Sequence, residues 1–332
     1  MSKCLPDALL PILRRLSDGR FHSGQDLARE QGVSRASVFN FVRMAQGMGL
    51  RIHAVRGRGY QLVSPAEWLD IEAIRLGLGA RADHYSLQIL DSTDSTNSLL
   101  MQTAQAGAPD GTVVCAEYQF AGRGRRGRQW HSVLGGSLTF SVLWRFDEGV
   151  AALGGLSLAV GVAVARAINQ HSQFAVKLKW PNDVLVDYRK LAGILVEIQG
   201  DLQGPSFAIV GIGLNVSLPA DQRDSIDQAV VDLDEMKVST GRNQLLATCL
   251  TELGAVIEVM RREGFRALRA EWESHHAHAG QPVTLTLPNG QTVLGVAVGV
   301  DDTGAFLLRN DRGEHVAYNG GEIRLRPLRR QV

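Results

Sequence analysis

Residues 119–130, QFAGRGRRGRQW, constrain this chain more than any other stretch. Gly122, Gly124 and Gly127 stand among Arg123, Arg125, Arg126 and Arg128, with no proline. Glycine lets the backbone enter φ > 0 and lets several peptide N–H groups converge on one point. Arginine adds a permanently charged planar fork that matches carboxylate and phosphate oxygens. By itself the stretch fits a solvated charge run or an Arg/Gly nucleic-acid segment equally well. Its neighbours shift the balance. The apolar runs TVVCAEY (112–118) and SLTFSVLW (137–144) bracket it, and a loop strung between two core strands is more often a site than a tail. The stretch therefore reads as a loop that wraps a small polyanion. It should stay mobile until the anion arrives, because ordering so many glycines costs conformational entropy.

The 332 residues leave room for two or three domains with cores of their own. A net charge of +1 argues against nucleic-acid binding over the whole surface, so any such contact is local. Cys4, Cys115 and Cys249 are far apart, odd in number and form no C-x-x-C. That pattern fits a reduced compartment and no zinc site. The first sixteen residues lack the apolar core of a signal peptide, and the apolar run 153–167 is too short to span a bilayer. A cytoplasmic location is expected.

The first sixty residues read as helix, glycine turn, helix. Leu9, Leu10, Leu13 and Leu16 stand at helical spacing. Ser23 and Asp26 form a capping box for a second helix. Ser34 caps a third, whose stripe is Val38, Phe41, Val42 and Ala45. The opposite face carries Arg35, Ser37, Asn40 and Arg43, which suit base edges and phosphates. IHAVRGRGYQLV (52–63) then reads as a hairpin with Arg56 and Arg58 at its tip. Cations on both the recognition face and the wing favour DNA binding over a protein-contact role. Residues 64 and 65, Ser-Pro, mark the boundary.

In the central part, SLQILDSTDSTN (86–97) reads as a strand leading into a helix capped by Thr96 or Asn97. Residues 153–169 read as one buried helix. In VKLKWPNDVLVDYRKLAGILVEIQG (176–200), Pro181 ends a strand, and Asn182 and Asp183 form a turn with acceptor oxygens. Two strands follow, joined at residues 187–189. Lys190 enters the second, and Gly193 permits close approach to it. Lys190 is an apt partner for a carboxylate or phosphate, although a lone lysine at a hairpin end is more often a surface group. AIVGIGLNVSL (208–218) is a further strand with Asn215 as its one amide.

STN (95–97), the arginine–glycine stretch, KWPNDV (179–184), RKLAGIL (189–195) and GIGLNV (211–216) occur in this order. Together they resemble the biotin protein ligase family, and with the helix-turn-helix in front, its bifunctional ligase/repressor class. The resemblance covers nearly the whole chain. It implies formation of biotinyl-5′-AMP from biotin and ATP with Mg²⁺, then transfer of biotin to a lysine of the biotin carboxyl carrier protein. It implies that Ser95, Thr96, Asn97 and Gln119 bind biotin's ring end. Gly122, Arg123, Gly124 and Arg125 would close over biotin and phosphates. Lys190 would lie between biotin's carboxylate and the α-phosphate, with Gly193 passing the biotin tail. Trp130 would pack near the adenine; Asn182, Asn215, Arg128 and Arg326 would complete the nucleotide surroundings. Asp183 would act on the acceptor lysine as base or charge partner. No clear metal cluster is readable. The adenylate would also be the corepressor, favouring a homodimer on operator DNA.

After the GIGLNV strand, residues 219–228 read as an acidic surface loop and 245–260 as an amphipathic helix. Residues 281–326 alternate short strands with turns such as PNG and DDTG, the pattern of a small SH3-like barrel. Gly320, Gly321 and Glu322 resemble a family motif. His275, His276 and His278 read as a solvated loop rather than a metal site. The expectation is an α+β protein in three parts: a winged helix-turn-helix (1–64), a mixed-sheet α/β catalytic domain of the biotin/lipoate ligase type (65–280) and an SH3-like barrel (281–332). A ligand-sensing regulator without ligase activity and a lipoate–protein ligase are the competing readings.

Overall fold

The computed structural model describes residues 5–63, 66–287 and 291–319, and the backbone of 324–327. α1 (Leu9–Leu16) buries all five of its aliphatic residues. α2 (Gly24–Glu30) begins at Ser23, whose oxygen accepts from the Asp26 N–H while its hydroxyl donates to the Asp26 carboxylate. α3 (Arg35–Gly47) begins at Ser34, which caps Ser37 the same way. These caps satisfy backbone donors that the helices cannot. β1 (Ile52–Val55) and β2 (Gly59–Leu62) form the wing hairpin. His22 and Tyr60 exchange backbone hydrogen bonds of 2.9 Å, which ties the wing to the start of α2. Gly59 allows this: its φ is +98°, and a Cβ there would strike the His22 carbonyl.

The central unit runs α4 (Ile71–Leu78), β3 (Ser86–Thr93), α5 (Thr96–Gln105), β4 (Thr112–Gln119), β5 (Ser137–Phe146) and α6 (Leu156–Asn169). It continues through β6 (Lys177–Lys179), β7 (Asp183–Val186), β8 (Arg189–Gly200), β9 (Ser206–Asn215), α7 (Ala220–Asp224), α8 (Arg242–Glu263) and α9 (Arg269–Ser274). The strands form one sheet in the order β3-β4-β5-β9-β8-β7-β6. β3 and β4 are parallel and every other pair is antiparallel, so the sheet is mixed. Alternation along the strands sends Val114, Leu143 and Ile209 to α5, whose Leu100 and Ala104 cover them. Phe140, Val142, Val210 and Ile212 point the other way into the main core with α6 and α8. α6 is apolar nearly all round because it lies between the sheet and α8.

β10 (Pro282–Thr286), β11 (Thr292–Val300), β12 (Phe306–Arg309), β13 (His315–Tyr318) and β14 (Arg324–Pro327) form an antiparallel sheet ordered β13-β12-β11-β10-β14. It docks on the central unit at Trp180, whose indole N–H donates to the Gly304 carbonyl at 3.0 Å. The winged helix is equally well seated. Leu134, from the segment after the arginine–glycine stretch, is fully buried in the core of α1–α3, and the Trp68 indole N–H donates to Ser17 Oγ at 2.7 Å. A buried ion pair, Arg242–Glu117, holds the connecting segment in place, because Glu117 also accepts from the Leu69 N–H.

Four sequence expectations are corrected. The helix expected over 153–169 breaks at Gly154 and Gly155, with φ +77° at Gly155, and α6 starts only at Leu156. Neither Thr96 nor Asn97 caps α5: the cap residue is Ser95, without a side-chain capping bond. The 219–228 loop contains α7, and its second half lines the central cleft. His276 and His278 are not solvated. Both are buried, His276 against Trp272 and Phe306 and His278 against Tyr188, and desolvation pushes each down to about 4, with charge on His278 adding to the effect at His276 and Lys179 adding to it at His278. Among the described residues no group of three or more His, Cys, Asp or Glu is placed to hold a metal ion.

Candidate active site

A cleft of about 600 Å³ opens over the β9–β8–β7 part of the sheet. One end is neutral and closed. Ser95, Thr96, Asn97 and Gln119 are all buried there. Gln119, the last residue of β4, accepts through Oε1 from the Thr96 N–H at 2.8 Å and from its hydroxyl at 3.2 Å. The side chain from the neighbouring strand thus does the capping that Ser95 does not, and the Gln119 amide NH₂ remains for a ligand. Asn97 donates to the Leu195 carbonyl at 3.2 Å and to Glu197 at 2.8 Å. Its Oδ1 lies 2.6 Å from the Ser141 hydroxyl, which also lies 2.7 Å from Thr96 Oγ1. Gly211 makes room for this amide, since a Cβ at 211 would overlap it. These interlocked bonds fix buried hydroxyl and amide groups in place.

The other end is charged. Lys190 Nζ lies 2.7 Å from Asp183 Oδ1, and Lys179 Nζ lies 3.7 Å from Asp183 Oδ2. Two ammonium groups thus approach one carboxylate. The turn between β7 and β8 sets Lys190: Asp187 and Tyr188 both take positive φ, and the segment after α7 bonds both the N–H and the carbonyl of Lys190. Asn215 donates to that same carbonyl and to Val231. Asn182 Oδ1 lies 3.5 Å from the Arg125 guanidinium. Burial holds Arg125 below the usual guanidinium value, Arg126 and Arg128 add to this, and Asp183 opposes it.

The arginine–glycine stretch folds back on itself. Trp130 N–H donates to the Gly122 carbonyl at 2.8 Å, and Gly124 N–H to the Arg128 carbonyl at 2.7 Å. Arg126 turns the tip with φ +59°. The Trp130 indole lies flat on the sheet where Gly193 and Gly213 face each other across β8 and β9. Its ring centroid is 6.0 Å from Lys190 Nζ.

Of the residues expected to bind biotin or nucleotide, this cleft gathers Ser95, Thr96, Asn97, Gln119, Arg123, Gly124, Arg125, Arg128, Trp130, Asn182, Asp183, Lys190, Gly193 and Asn215. Gly122 stands just behind, where a Cβ would press on the Trp130 carbonyl at 2.7 Å. The Arg326 side chain and residues 320–322 lie outside the described residues. The sequence reading missed Ser141, Glu197, Lys179 and the wall formed by Ser225, Ile226, Asp227 and Gln228. On the winged helix, Arg35, Asn40, Arg43, Arg56 and Arg58 are exposed. Ser37 is half-buried and bonded to Ser34, and Arg58 stacks over Phe21 at 4.1 Å.

The chain is 35% identical over 317 residues to the bifunctional ligase/repressor BirA of Salmonella typhimurium, covering 96% of this chain and 97% of that protein. The chain belongs to the biotin protein ligase family. Residues 89–216 match the Biotin/lipoate A/B protein ligase family, 278–326 the Biotin protein ligase C terminal domain and 9–61 an HTH domain. The BirA of Bacillus subtilis is 32% identical over 304 residues, covering 90% of this chain and 92% of that one. Among solved structures, a biotin protein ligase from Aquifex aeolicus in complex with biotin and ATP superposes with a TM-score of 0.61 at 27% identity. It covers 73% of this chain and 99% of that chain. Membership in the ligase family accounts for both the mixed sheet and the three-part layout. No described helix is long and apolar enough to cross a membrane.

Proposed function

We propose that this biotin protein ligase joins biotin to ATP and then to a lysine of the biotin carboxyl carrier protein of acetyl-CoA carboxylase, and that its head represses biotin-synthesis genes. The observation that carries the reading is a cleft with a neutral hydrogen-bonding end and a cationic end that meet at Lys190. Biotin offers a neutral ureido ring at one end and a carboxylate at the other, and ATP brings a polyanion. Each matches one half of the cleft.

In the first step a biotin carboxylate oxygen attacks the α-phosphorus, the bond to the β-phosphate breaks, and pyrophosphate leaves. Two anions must approach, so the barrier falls when fixed cations neutralise them. Lys190 sits where both meet; Arg123, Arg125 and Arg128 close over the phosphates, and Trp130 walls off the bond being made. Mg²⁺ neutralises triphosphate charge when bound. The Asp183 carboxylate and the Asn182 and Asn215 amides are oxygen donors of the kind that suit it, and a phosphate-bound Mg²⁺ needs few protein ligands. In the second step the carrier lysine amine attacks the acyl carbonyl and AMP leaves. Asp183, already holding Lys190, then orients or deprotonates that amine.

The head reads DNA through Arg35, Asn40 and Arg43 on α3, with Arg56 and Arg58 on the wing against phosphates. The adenylate acts as corepressor by favouring a homodimer. β8 runs on to Gly200 after its pairing with β7 ends at Gly193, and the edge beyond Ile194, which pairs with no other strand among the described residues, can accept a second copy. We place the protein in the cytoplasm, in keeping with its free buried Cys115 and Cys249. The deciding experiment incubates the protein with biotin, Mg²⁺-ATP and a carrier domain, with lipoate in a parallel reaction, and weighs the carrier. A mass gain of one biotinyl group is expected; no gain, or a gain with lipoate alone, overturns the reading.

A further inference from the structure

Glu197 has no role in the chemistry above, yet it is the acceptor on which two parts of the site converge. It lies on β8 opposite Ile209, on the α5 face of the sheet. Its Oε2 accepts from the Asn97 amide at 2.8 Å, at the closed end of the cleft. The same oxygen accepts from Arg123, the first arginine of the arginine–glycine stretch. Leu195 and Glu197 line a groove together with residues 121–129, so the stretch lies along β8 at this point. Asn97 is buried and bonded through both atoms of its amide, whereas Arg123 is exposed on a loop with three glycines.

We propose that Glu197 is a positioning residue, a latch that holds the arginine–glycine lid shut over bound adenylate by pairing with Arg123 while it is itself anchored on Asn97. This deepens the ligase reading and rests on it. Glu197 touches neither biotin nor nucleotide. Its effect therefore falls on how long the closed state lasts and not on the bond-making step. A charge-assisted hydrogen bond with one exposed partner is modest, and its loss should speed lid opening by about fivefold.

The test uses the full chain loaded with biotin and Mg²⁺-ATP. E197Q keeps an acceptor oxygen for Asn97 and removes the charge that faces Arg123. Adenylate release after a chase should be about fivefold faster in E197Q, and trypsin should cut the loaded lid faster. The single-turnover rate of adenylate formation should stay within about twofold of the starting protein. R123Q should release faster as well, and R123Q/E197Q should release no faster than the faster single variant, because one shared bond can be lost only once. Unchanged release in E197Q, or fully additive effects in the double variant, overturns the latch. If E197Q does not fold, E197D, which keeps the charge on a side chain one methylene shorter and so weakens the reach to Arg123, takes its place, and release at the starting rate refutes the proposal. The two readings fail separately. If the unmodified protein makes no adenylate, the ligase reading falls; if it makes adenylate and E197Q retains it equally long, only the latch falls.

Discussion

The two ends of the cleft solve recognition in opposite ways. At the closed end Ser95, Thr96, Asn97 and Gln119 line the cleft with neutral, buried groups, and the bonds among Thr96, Asn97, Gln119 and Ser141 leave little freedom. At the open end Lys190, Lys179 and Arg125 are charged, and Asp183 holds the two lysines together. A neutral site selects by shape and by the penalty for leaving a buried donor unpaired. A charged site stabilises what forms there without discriminating finely between anions. The difference assigns specificity to one end and rate to the other, and it can be broken by experiment.

Lys190→Ala should produce the largest effect. It removes the cation nearest the reacting pair and leaves Asp183 beside the more distant Lys179. Adenylate formation should fall by about a thousandfold, with biotin affinity changed far less. Single-turnover pyrophosphate release alongside equilibrium biotin binding measures both. Near-normal turnover would remove Lys190 from the mechanism and erase the contrast between the ends.

Gly211→Ala should come next, on the neutral side. The added methyl overlaps the Asn97 amide, so that side chain must leave its bonds to Glu197, Leu195 and Ser141. The KM for biotin should rise by roughly thirtyfold, while the KM for ATP moves by less than about threefold. Equal shifts in both would show that the two ends are one coupled site.

The parts of this contrast that the sequence displays are those written in local grammar. Gly122 and Gly124, Pro181 after Trp180, and the Ser23 and Ser34 caps each announce themselves through neighbours a few residues away. Lys190 follows from a strand that begins beside it. Glu197 and Ser141 give no such signal. Each is a polar residue in an apolar strand, and its meaning depends on β8 and β5 both flanking β9, a pairing that no short window contains. The same holds for His276 and His278, which look solvated until Trp272 and Phe306 close around the first and Tyr188 packs on the second. Thr96 and Asn97 were legible as site residues through their motif, but their expected capping role was not met, because the capping acceptor arrives from Gln119 on another strand.

Ionic strength offers a gentler probe. Lys190, Lys179 and the lid arginines face an open cleft, and salt screens exposed charges over about 8 Å at physiological strength. Raising monovalent salt from about 0.05 to about 0.5 M should raise the KM for ATP severalfold. The KM for biotin, set largely by buried neutral bonds, should change less. A biotin KM as salt-sensitive as that of ATP would place its carboxylate, and not its ring, in command of binding.

Ser141→Ala should give the smallest effect and the sharpest test of the neutral end. Ser141 is fully buried on β5, and its hydroxyl stands between Thr96 Oγ1 and Asn97 Oδ1 without lining the cleft itself. Its loss leaves one acceptor on Asn97 short of a donor, at a cost to stability of about 1 to 2 kcal/mol. Biotin should bind only about threefold more weakly, because Asn97 keeps its bonds to Glu197 and Leu195. Adenylation of bound biotin should not slow, since nothing at the Lys190 end has moved. Thermal denaturation, biotin titration and single-turnover kinetics read these three quantities separately. A slowed chemical step with unchanged biotin affinity would mean that the floor of the pocket steers the carboxylate, and the division of labour between the two ends would have to be redrawn.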